Sequence, residues 1–589
     1  RNHPMHILKS ALPLAICALS LFEITCTTAF TLPIPLLRQR LSNGPRFLQP
    51  ATGRNTFRPR QLPPSWSTLK TNAAKKAQPE FELPFVASID EGTQSCRFLV
   101  FDKSGKIVVS HQKQKKQYYP QAGWCEHDPN EIIDNVDECI MQACEDLLQL
   151  GYATSDIASV GIANQRETTV VWDRITGEPL HNAIVWLDTR TSSICDELSA
   201  VHGGRDAFKD KCGLPISTYF SGVKVKWLLD NVDDVREKAA KGEAMFGTVD
   251  SWLIYKLTGR HVTDVTNAAR TMMMDLETLQ WDEEVCAALG VPMSMLPEIR
   301  SSSEVYGKLK ETAVKGVPIA SCLGDQQAAL VGHGAFNKGD AKNTYGTGAF
   351  MLLNTDTECV RSPSGLLTTV AYKFGDDDAK YVLEGSVAIA GAGIAWLKDN
   401  LKLIDDVKES TTLAESVDDT CGVYLVPAFS GLFAPHWRED ARGVIVGLTQ
   451  YTTSAHIVRA MLESVAFQAN DVAEAMVKDS GLPMPEMKVD GGVTANDFFL
   501  GFQANVMDAT VRRPAMLEIT ALGAAIAAGL AVGVWPSLDE AKKMQVKEAA
   551  GCWGAWECGV VLGVEPVVVR PLLWSSCCRL GGLPNSCQL

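Results

Sequence analysis

Four short stretches of this 589-residue chain combine residue types that can grip phosphate or activate a hydroxyl. In Asp90-Glu91-Gly92-Thr93-Gln94-Ser95, Gly92 lets the backbone approach a phosphate, neighbouring N–H groups and the Thr93 and Ser95 hydroxyls can donate, and Asp90 can hold magnesium through water. Alone, the same stretch is weak, since a Gly/Thr hairpin turn is purely structural more often than not. A second Gly/Thr turn at Gly346-Thr347-Gly348 changes that balance, because two such turns facing each other can hold the β- and γ-phosphates of a nucleotide from both sides. Asp490-Gly491-Gly492-Val493, followed by Asn496, offers a strand-to-helix turn that a flat base or an α-phosphate could approach, or simply tight packing. Leu323-Gly324-Asp325-Gln326-Gln327 places an acid directly after a glycine at the end of an apolar stretch. Asp325 can there accept the proton of an alcohol attacking phosphorus; the alternative is an Asx-turn or a helix cap. The chain has no G-x-x-x-x-G-K-[S/T] and no H-R-D or D-F-G, which sets aside P-loop nucleotidases and protein kinases.

The elements that must carry these residues are legible around them. Phe85 to Ile89 and Arg97 to Phe101 are apolar runs flanking a polar turn from Asp90 to Ser95, a β-hairpin pattern, and Asp102-Lys103-Ser104-Gly105 turns the chain into Ile107-Val108-Val109. Asp128-Pro129-Asn130-Glu131 supplies an N-cap, a proline at the first helical position and a capping acid ahead of Ile132, Ile133, Val136, Ile140, Ala143 and Leu147 at helical spacing. Strands followed by an amphipathic helix indicate α/β layering. The hairpin pattern returns about 250 residues later, in Asn343 to Leu353, so two similar α/β domains are expected to face one cleft. Their expected limits are 81–336 and 337–545. Thr520 to Trp535, rich in Ala and Gly, predicts a closely packed buried helix with no direct role.

Composition narrows the class further. Hydrophobic residues at 46% and charged residues at 21% exclude a disordered, collagen-like or coiled-coil chain, and beyond the N-terminal segment no apolar run reaches the roughly eighteen residues of a membrane span. The first 79 residues hold eleven Lys/Arg and one acid, Glu23, leaving the remainder with a net charge of about −24, which argues against nucleic acid as a partner. Ten cysteines lie between residues 96 and 421 without C-x-x-C or zinc spacing, and most are expected to be buried thiols in a reducing compartment. Within residues 1–80, Met5 reads as the initiator, Ala11 to Phe22 as a signal-peptide core and Thr27-Thr28-Ala29-Phe30 as a cleavage region. An acid-free, Arg-rich stretch then runs to about Pro79. This order resembles the bipartite presequences of complex plastids; a plain signal peptide, or sequence upstream of the true start, with a cytoplasmic or mitochondrial destination, is the alternative. Residues 546–589 are expected to be an atypical tail. From Gly551 onward they contain five Cys, three Trp and only four charged side chains without a sustained period, as from a retained intron or frameshift, or as a genuine tail.

Taken with Asn164-Gln165-Arg166-Glu167-Thr168-Thr169 and Tyr219-Phe220-Ser221-Gly222-Val223-Lys224-Val225-Lys226-Trp227, the four stretches resemble the FGGY carbohydrate kinase family over about Phe85 to Ala541. The Arg-Glu-Thr-Thr segment resembles members that phosphorylate glycerol more than those acting on sugars. The resemblance implies two actin-like, ribonuclease-H-type α/β domains facing a central nucleotide cleft, with ATP and Mg2+ as cofactors and a possible homodimer or homotetramer. By motif matching, Arg166, Glu167, Trp186, Tyr219, Asp325, Gln326 and Phe350 would line a glycerol pocket. Thr93, Gln94, Ser95, Thr347, Gly391, Gly492 and Asn496 would touch the nucleotide, and Arg97 its phosphates. Without the resemblance, Arg166 and Glu167 read equally as a surface ion pair. Glu91, Gln94 and Ala395 depart from the family pattern, so side-chain contributions to phosphate and base binding differ. The Gly-Gly-Thr-Arg element by which some bacterial forms bind fructose bisphosphate is absent before Pro318, so that inhibition is not expected.

The implied reaction is ATP plus glycerol to ADP plus sn-glycerol 3-phosphate, with Asp325 as general base, and it would feed glycerolipid synthesis and glycerol catabolism. Its rivals are another polyol or pentulose kinase of the same family and a non-catalytic actin-like ATPase.

Overall fold

The computed structural model describes residues 81–543, except 430 and 439, together with 549–554; the expectations for residues 1–80 and 555–589 fall outside the described residues. Among those described, no helix is long and apolar enough to cross a membrane.

The first sheet is built on β1 (Phe85–Glu91), β2 (Ser95–Phe101) and β3 (Ile107–Gln114), an antiparallel meander. The helix α1 (Pro129–Gln149) then returns the chain to β4 (Ile157–Asn164), which lies parallel to β1. Asp128 caps α1, its carboxylate accepting from Asn130 N at 2.8 Å, and Pro129 opens it, so the expected start is met. Glu131 does not close a capping box. Its carboxylate accepts instead from Lys116 N on the neighbouring loop. Strands β5 (Ser303–Lys308) and β6 (Pro318–Gly324) complete the order β5-β6-β4-β1-β2-β3. Every residue of β1 is buried, as in a central strand covered on both faces. Asp90 and Glu91 therefore belong to the strand and not to the turn, which shrinks to Gly92–Gln94. The reason is the pairing of Glu91 with Asn164 across the parallel neighbour.

The same plan recurs after the helix α2 (Asp325–Gly332). Strands β7 (Ala341–Tyr345) and β8 (Ala349–Asp356) form the second hairpin, and β9 (Leu367–Tyr372) and β10 (Lys380–Val387) extend it. Helices α3 (Gly391–Asp399) and α4 (Ser454–Ser480) precede β11 (Glu486–Asp490), which pairs parallel to β7. Helix α5 (Asp497–Met507) leads to β12 (Thr510–Pro514), parallel to β11. The order is β9-β10-β8-β7-β11-β12-β13. The edge strand β13 (Ala549–Trp553) lies in the segment expected to lack regular structure; it pairs antiparallel to β12 through main-chain bonds, which need no side-chain period. Both sheets thus place a hairpin beside parallel crossover strands, the ribonuclease-H-type plan in two domains.

Helix α6 (Ile519–Ala531), from the C-terminal half of the chain, lies on the first sheet. It packs against α2 and the β1, β4 and β6 strands of the first sheet, burying Ala521 to Ala528. Its backbone comes so near β4 that a Cβ on Gly161 would stand 2.3 Å from Ala524 O, and Ser321 Oγ donates to that same carbonyl at 2.7 Å. The closely packed buried helix expected over Thr520 to Trp535 is thus found over Ile519–Ala531. Of the ten cysteines between residues 96 and 421, seven are buried and none is in a disulfide.

Candidate active site

Strands β1, β4 and β6 end in register, with Glu91 and Gly324 both opposite Asn164, so the loops after them open onto one edge of the sheet. Carboxyl ends of parallel strands are where ligands of α/β sheets bind. Asn164 is fixed by reciprocal amide bonds with Asn267 at 2.9 and 3.1 Å, and Gln165 N donates to Glu91 O at 2.8 Å. Glu167 then takes a left-handed backbone, φ 58°, and Thr168 N donates to Arg166 O across it, a three-residue turn that a bulky residue adopts only at a cost of about 1–3 kcal/mol. The turn sends both the Arg166 and Glu167 side chains inward.

What they meet is an interdomain ion cluster. Arg166 donates to both oxygens of Glu384 on β10, at 2.6 and 2.9 Å, and its Nε lies 3.4 Å from Asp325 Oδ1 and 3.9 Å from Glu167 Oε1. Arg270 donates to Glu167 at 2.6 Å, and its Nη2 stands 3.2 Å from Glu384. Arg166, Glu167, Arg270 and Glu384 are all buried, which overturns the surface-ion-pair reading. Burial alone would raise the Glu384 carboxyl, but Arg166 and Arg270 bring it down to about 2. Gly324 leaves room for the arginine, since a Cβ there would stand 2.6 Å from Arg166 Cδ.

Asp325 begins α2 directly after β6, half-buried and facing this cluster. Burial raises its carboxyl pKa, opposed by Arg166 and Lys342. Its Oδ1 accepts from Gln326 N at 2.7 Å, so the acid does make the local turn contact as well. The neighbouring Gln326 receives a hydrogen bond from the buried Lys342 ammonium, which also donates to Thr344 Oγ1 at 2.9 Å. Burial pushes Lys342 down to about 8. On the other side stand three rings: Trp186 lies 5.5 Å from Tyr219 and 6.2 Å from Phe350, edge to face. Trp186 Nε1 donates to Thr93 Oγ1 at 2.9 Å, tying this aromatic wall to the first hairpin turn. The buried Lys224 ammonium accounts for the Tyr219 position, donating to the carbonyls of Thr218, Tyr219 and Phe220.

The expected nucleotide residues are less tightly gathered. The second turn is strapped to the start of α3, where Ala390 N and Ala392 N donate to Thr347 O and Gly391 N to Gly346 O. A Cβ on Gly391 would stand 2.6 Å from Gly346 O. Gly492 follows β11 with open space where its Cβ would lie. Asn496 caps α5, accepting from Phe499 N at 3.0 Å, so its carbonyl oxygen is already engaged. Gln94 is exposed, and Ser95 Oγ accepts from Gln112 Nε2 on the sheet edge. Glu91 turns away into an ion pair with Lys115. Arg97 pairs with Glu518 at 2.8 Å and Asp90 at 3.4 Å. Burial raises Asp90 to about 7, against Arg97 and with Glu518, Asp325 and Glu91 adding to the rise.

Glu384, Arg270, Lys342 and Glu518 were absent from the sequence-derived site. The available signal was an acid inside the apolar run Tyr381 to Val387 and a lysine heading the apolar second hairpin, charges too costly to bury unpaired.

Comparison with known proteins is consistent along the chain. The N-terminal domain model of the FGGY family of carbohydrate kinases matches residues 85–332, and its C-terminal domain model matches residues 341–532. The chain is 57% identical over 462 residues to the glycerol kinase of Pseudarthrobacter chlorophenolicus, covering 77% of this chain and 91% of that protein. It is 55% identical over 470 residues to that of Saccharopolyspora erythraea, covering 79% and 93%. Among solved structures, Plasmodium falciparum glycerol kinase with ADP superposes with a TM-score of 0.76 at 42% identity, over 80% of this chain and 94% of that one. The fold extends to xylulose kinase from Lactobacillus acidophilus, at 24% identity and a TM-score of 0.70.

Proposed function

The chain belongs to the FGGY family of carbohydrate kinases, and from that premise we propose that it transfers the γ-phosphoryl group of ATP to glycerol, giving ADP and sn-glycerol 3-phosphate. The observation that carries the choice of acceptor is the convergence of the Arg166, Glu167 and Asp325 side chains near the ring cluster of Trp186, Tyr219 and Phe350. Charged groups there offer hydrogen bonds to three hydroxyls, and the rings cover a short carbon chain and exclude water. Asp325 accepts the proton of the attacking hydroxyl, its oxygen free to rotate from the Gln326 N–H toward the acceptor. Arg166, clamped by Glu384, holds the acceptor in line. The backbone turns at Gly92–Gln94 and Gly346–Gly348 receive the phosphates, Gly391, Gly492 and Asn496 border the nucleoside, and Arg97 can exchange Glu518 for phosphate oxygen.

Magnesium fits the residues present. The buried Asp90 carboxylate beside the first turn, with Asp325 facing it, supplies the hard anionic oxygens this ion takes, largely through water. Bound there, it would neutralise charge on the phosphoryl oxygens. Closure of the two domains would bring the two turns onto one nucleotide. Delivery to a plastid is a further proposal, supported by the composition of residues 1–80 and tested by fusing them to a fluorescent reporter.

The deciding experiment is a coupled ADP-release assay on a chain starting near Glu80, with and without glycerol and with a panel of pentuloses and longer polyols. Glycerol-dependent turnover above the other acceptors is expected. ATP turnover indifferent to every polyol would instead mark a non-catalytic actin-like ATPase.

A further inference from the structure

A cavity of about 540 Å³ opens from the rings of the acceptor pocket and extends well beyond them. It starts at Trp186, Tyr219 and Glu384 and runs outward between the helix Ser192–His202 of the first domain and the segment around Phe433 and Trp437 of the second. This volume falls in the range of sites for drug-sized ligands, ~300–1,000 Å³, and a triol of six heavy atoms fills only a fraction of it.

At its threshold stands Ser386. In the sheet register Ser386 is opposite Phe350, and two residues earlier Glu384 is opposite Leu367, so these side chains project from one face in a line leading from the acceptor pocket into the cavity. Ser386 is 8% exposed, and its Oγ has no hydrogen-bond partner among the described residues. A buried hydroxyl facing a cavity in this way can serve a ligand or a bound water as partner. Farther out, the Phe433 and Trp437 rings lie nearly parallel, 26° apart, and Ser217 and Thr218 line the same cavity. Ring faces next to hydroxyls suit the alternating C–H and O–H surfaces of a sugar. Asp196 and Arg205 line the same cavity with opposite charges, and Glu384 is already paired with Arg166 and Arg270, so the walls hold no surplus charge for an ionic group.

We propose that this cavity is a second acceptor compartment that takes a neutral glycosyl group carried on the glycerol oxygen farthest from the reacting hydroxyl, so that O-glycosylglycerols are also phosphorylated. The inference rests on the glycerol reading of the neighbouring pocket. The free primary hydroxyl of the glyceryl part attacks the γ-phosphorus. The new P–O bond forms as the bond to the bridging oxygen of ADP breaks, and the hydroxyl proton passes to Asp325.

The test compares glycerol, 1-O-glucosylglycerol and 1-O-hexylglycerol as acceptors, with ADP release and product mass as readouts. Wild-type protein is expected to phosphorylate the glucosyl compound with kcat/KM within about 100-fold of glycerol and to prefer it to the hexyl ether by about tenfold or more. Ser199→Trp, which plugs the outer cavity from the helix Ser192–His202, should lower kcat/KM for the glucosyl compound at least tenfold and leave glycerol turnover unchanged. Should Ser199→Trp fold poorly, the exposed Ser192→Trp serves as the same plug. Glycerol turnover without phosphorylation of, or inhibition by, 1-O-glucosylglycerol overturns the inference, as does equal use of the hexyl ether or an equal loss for both acceptors in the plugged variants. Absence of glycerol turnover in the wild type would instead remove the acceptor reading itself.

Discussion

Glu384 of the second domain accepts two hydrogen bonds from Arg166 of the first, at 2.6 and 2.9 Å, while the same carboxylate stands 3.2 Å from Arg270. One side chain of the C-terminal sheet thus fixes the two buried cations on which the acceptor pocket is built. Replacing it by its neutral isostere, Glu384→Gln, leaves two guanidiniums buried with only Glu167 and Asp325 as counter-charges. Breaking a buried ion pair in this way costs roughly 3–5 kcal/mol. The expected outcome is a lowered denaturant midpoint together with a raised KM for glycerol. A variant of wild-type stability and KM would show that Arg166 keeps its place without Glu384.

The same pair sets an acid limit. With the Glu384 carboxyl held near 2 in the folded protein against 4.5 for the free group, its contribution to stability is fully present above about pH 4.5 and is lost as the pH falls toward 2. At about 1.4 kcal/mol per pH unit this amounts to roughly 3 kcal/mol. Urea unfolding of the wild type between pH 3 and 7 should show about 2 kcal/mol of this loss, and Glu384→Gln should flatten it. Parallel profiles for the two proteins would place the acid sensitivity elsewhere.

Asp325 is the group on which turnover depends. Asp325→Asn keeps the shape and the Gln326 turn contact but cannot take a proton, so kcat should fall by about 10²- to 10⁴-fold, with a smaller change in ATP affinity. Retention of wild-type kcat in that variant would remove the base role.

How much of this was readable beforehand follows from how local each signal is. Gly92, Gly346 and Gly491 punctuate short strand-turn units, and Asp325 sits one residue past the end of β6, so their types and spacing announce themselves within a few positions. The Arg166 partner does not, because Glu384 lies 218 residues away and reaches it only once β10 is paired into the second sheet. Glu91 illustrates the opposite error. Next to Gly92 it reads as part of a turn, yet the parallel contact with Asn164 draws it into β1 and the ion pair with Lys115 turns it away from the phosphates. The same holds for Ala549–Trp553, where an unpatterned sequence becomes a strand because the β12 edge is there to receive it.

Asp90 should separate binding of the metal–nucleotide complex from folding. Its carboxylate is buried, and Arg97 is a counter-charge shared with Glu518. Asp90→Asn removes an ionisable group from that environment, so the nucleotide-free protein should melt at a slightly higher temperature. The rise in melting temperature on adding ATP with magnesium should shrink, and kcat should fall. An Asp90→Asn variant with the wild-type dependence of rate on magnesium concentration would rule out its part in holding the ion.

Lys342 gives the alkaline side of the pH profile. Its ammonium is buried between Asp325, Glu384 and Asp490, and burial brings it down to about 8 while these acids hold it up. As long as it is charged it donates to Gln326 and Thr344 and stabilises the Asp325 carboxylate. Above pH 8 the neutral amine loses that electrostatic pull and one donated hydrogen, so Gln326 loosens and kcat/KM should decline. Below the raised pKa of Asp325 the base is protonated and the rate declines again, giving a bell whose alkaline limb belongs to Lys342. Lys342→Arg stays charged throughout and should move the alkaline limb upward without moving the acid limb. An alkaline limb at the same pH in both proteins would assign it to another group and leave Lys342 with a purely packing role.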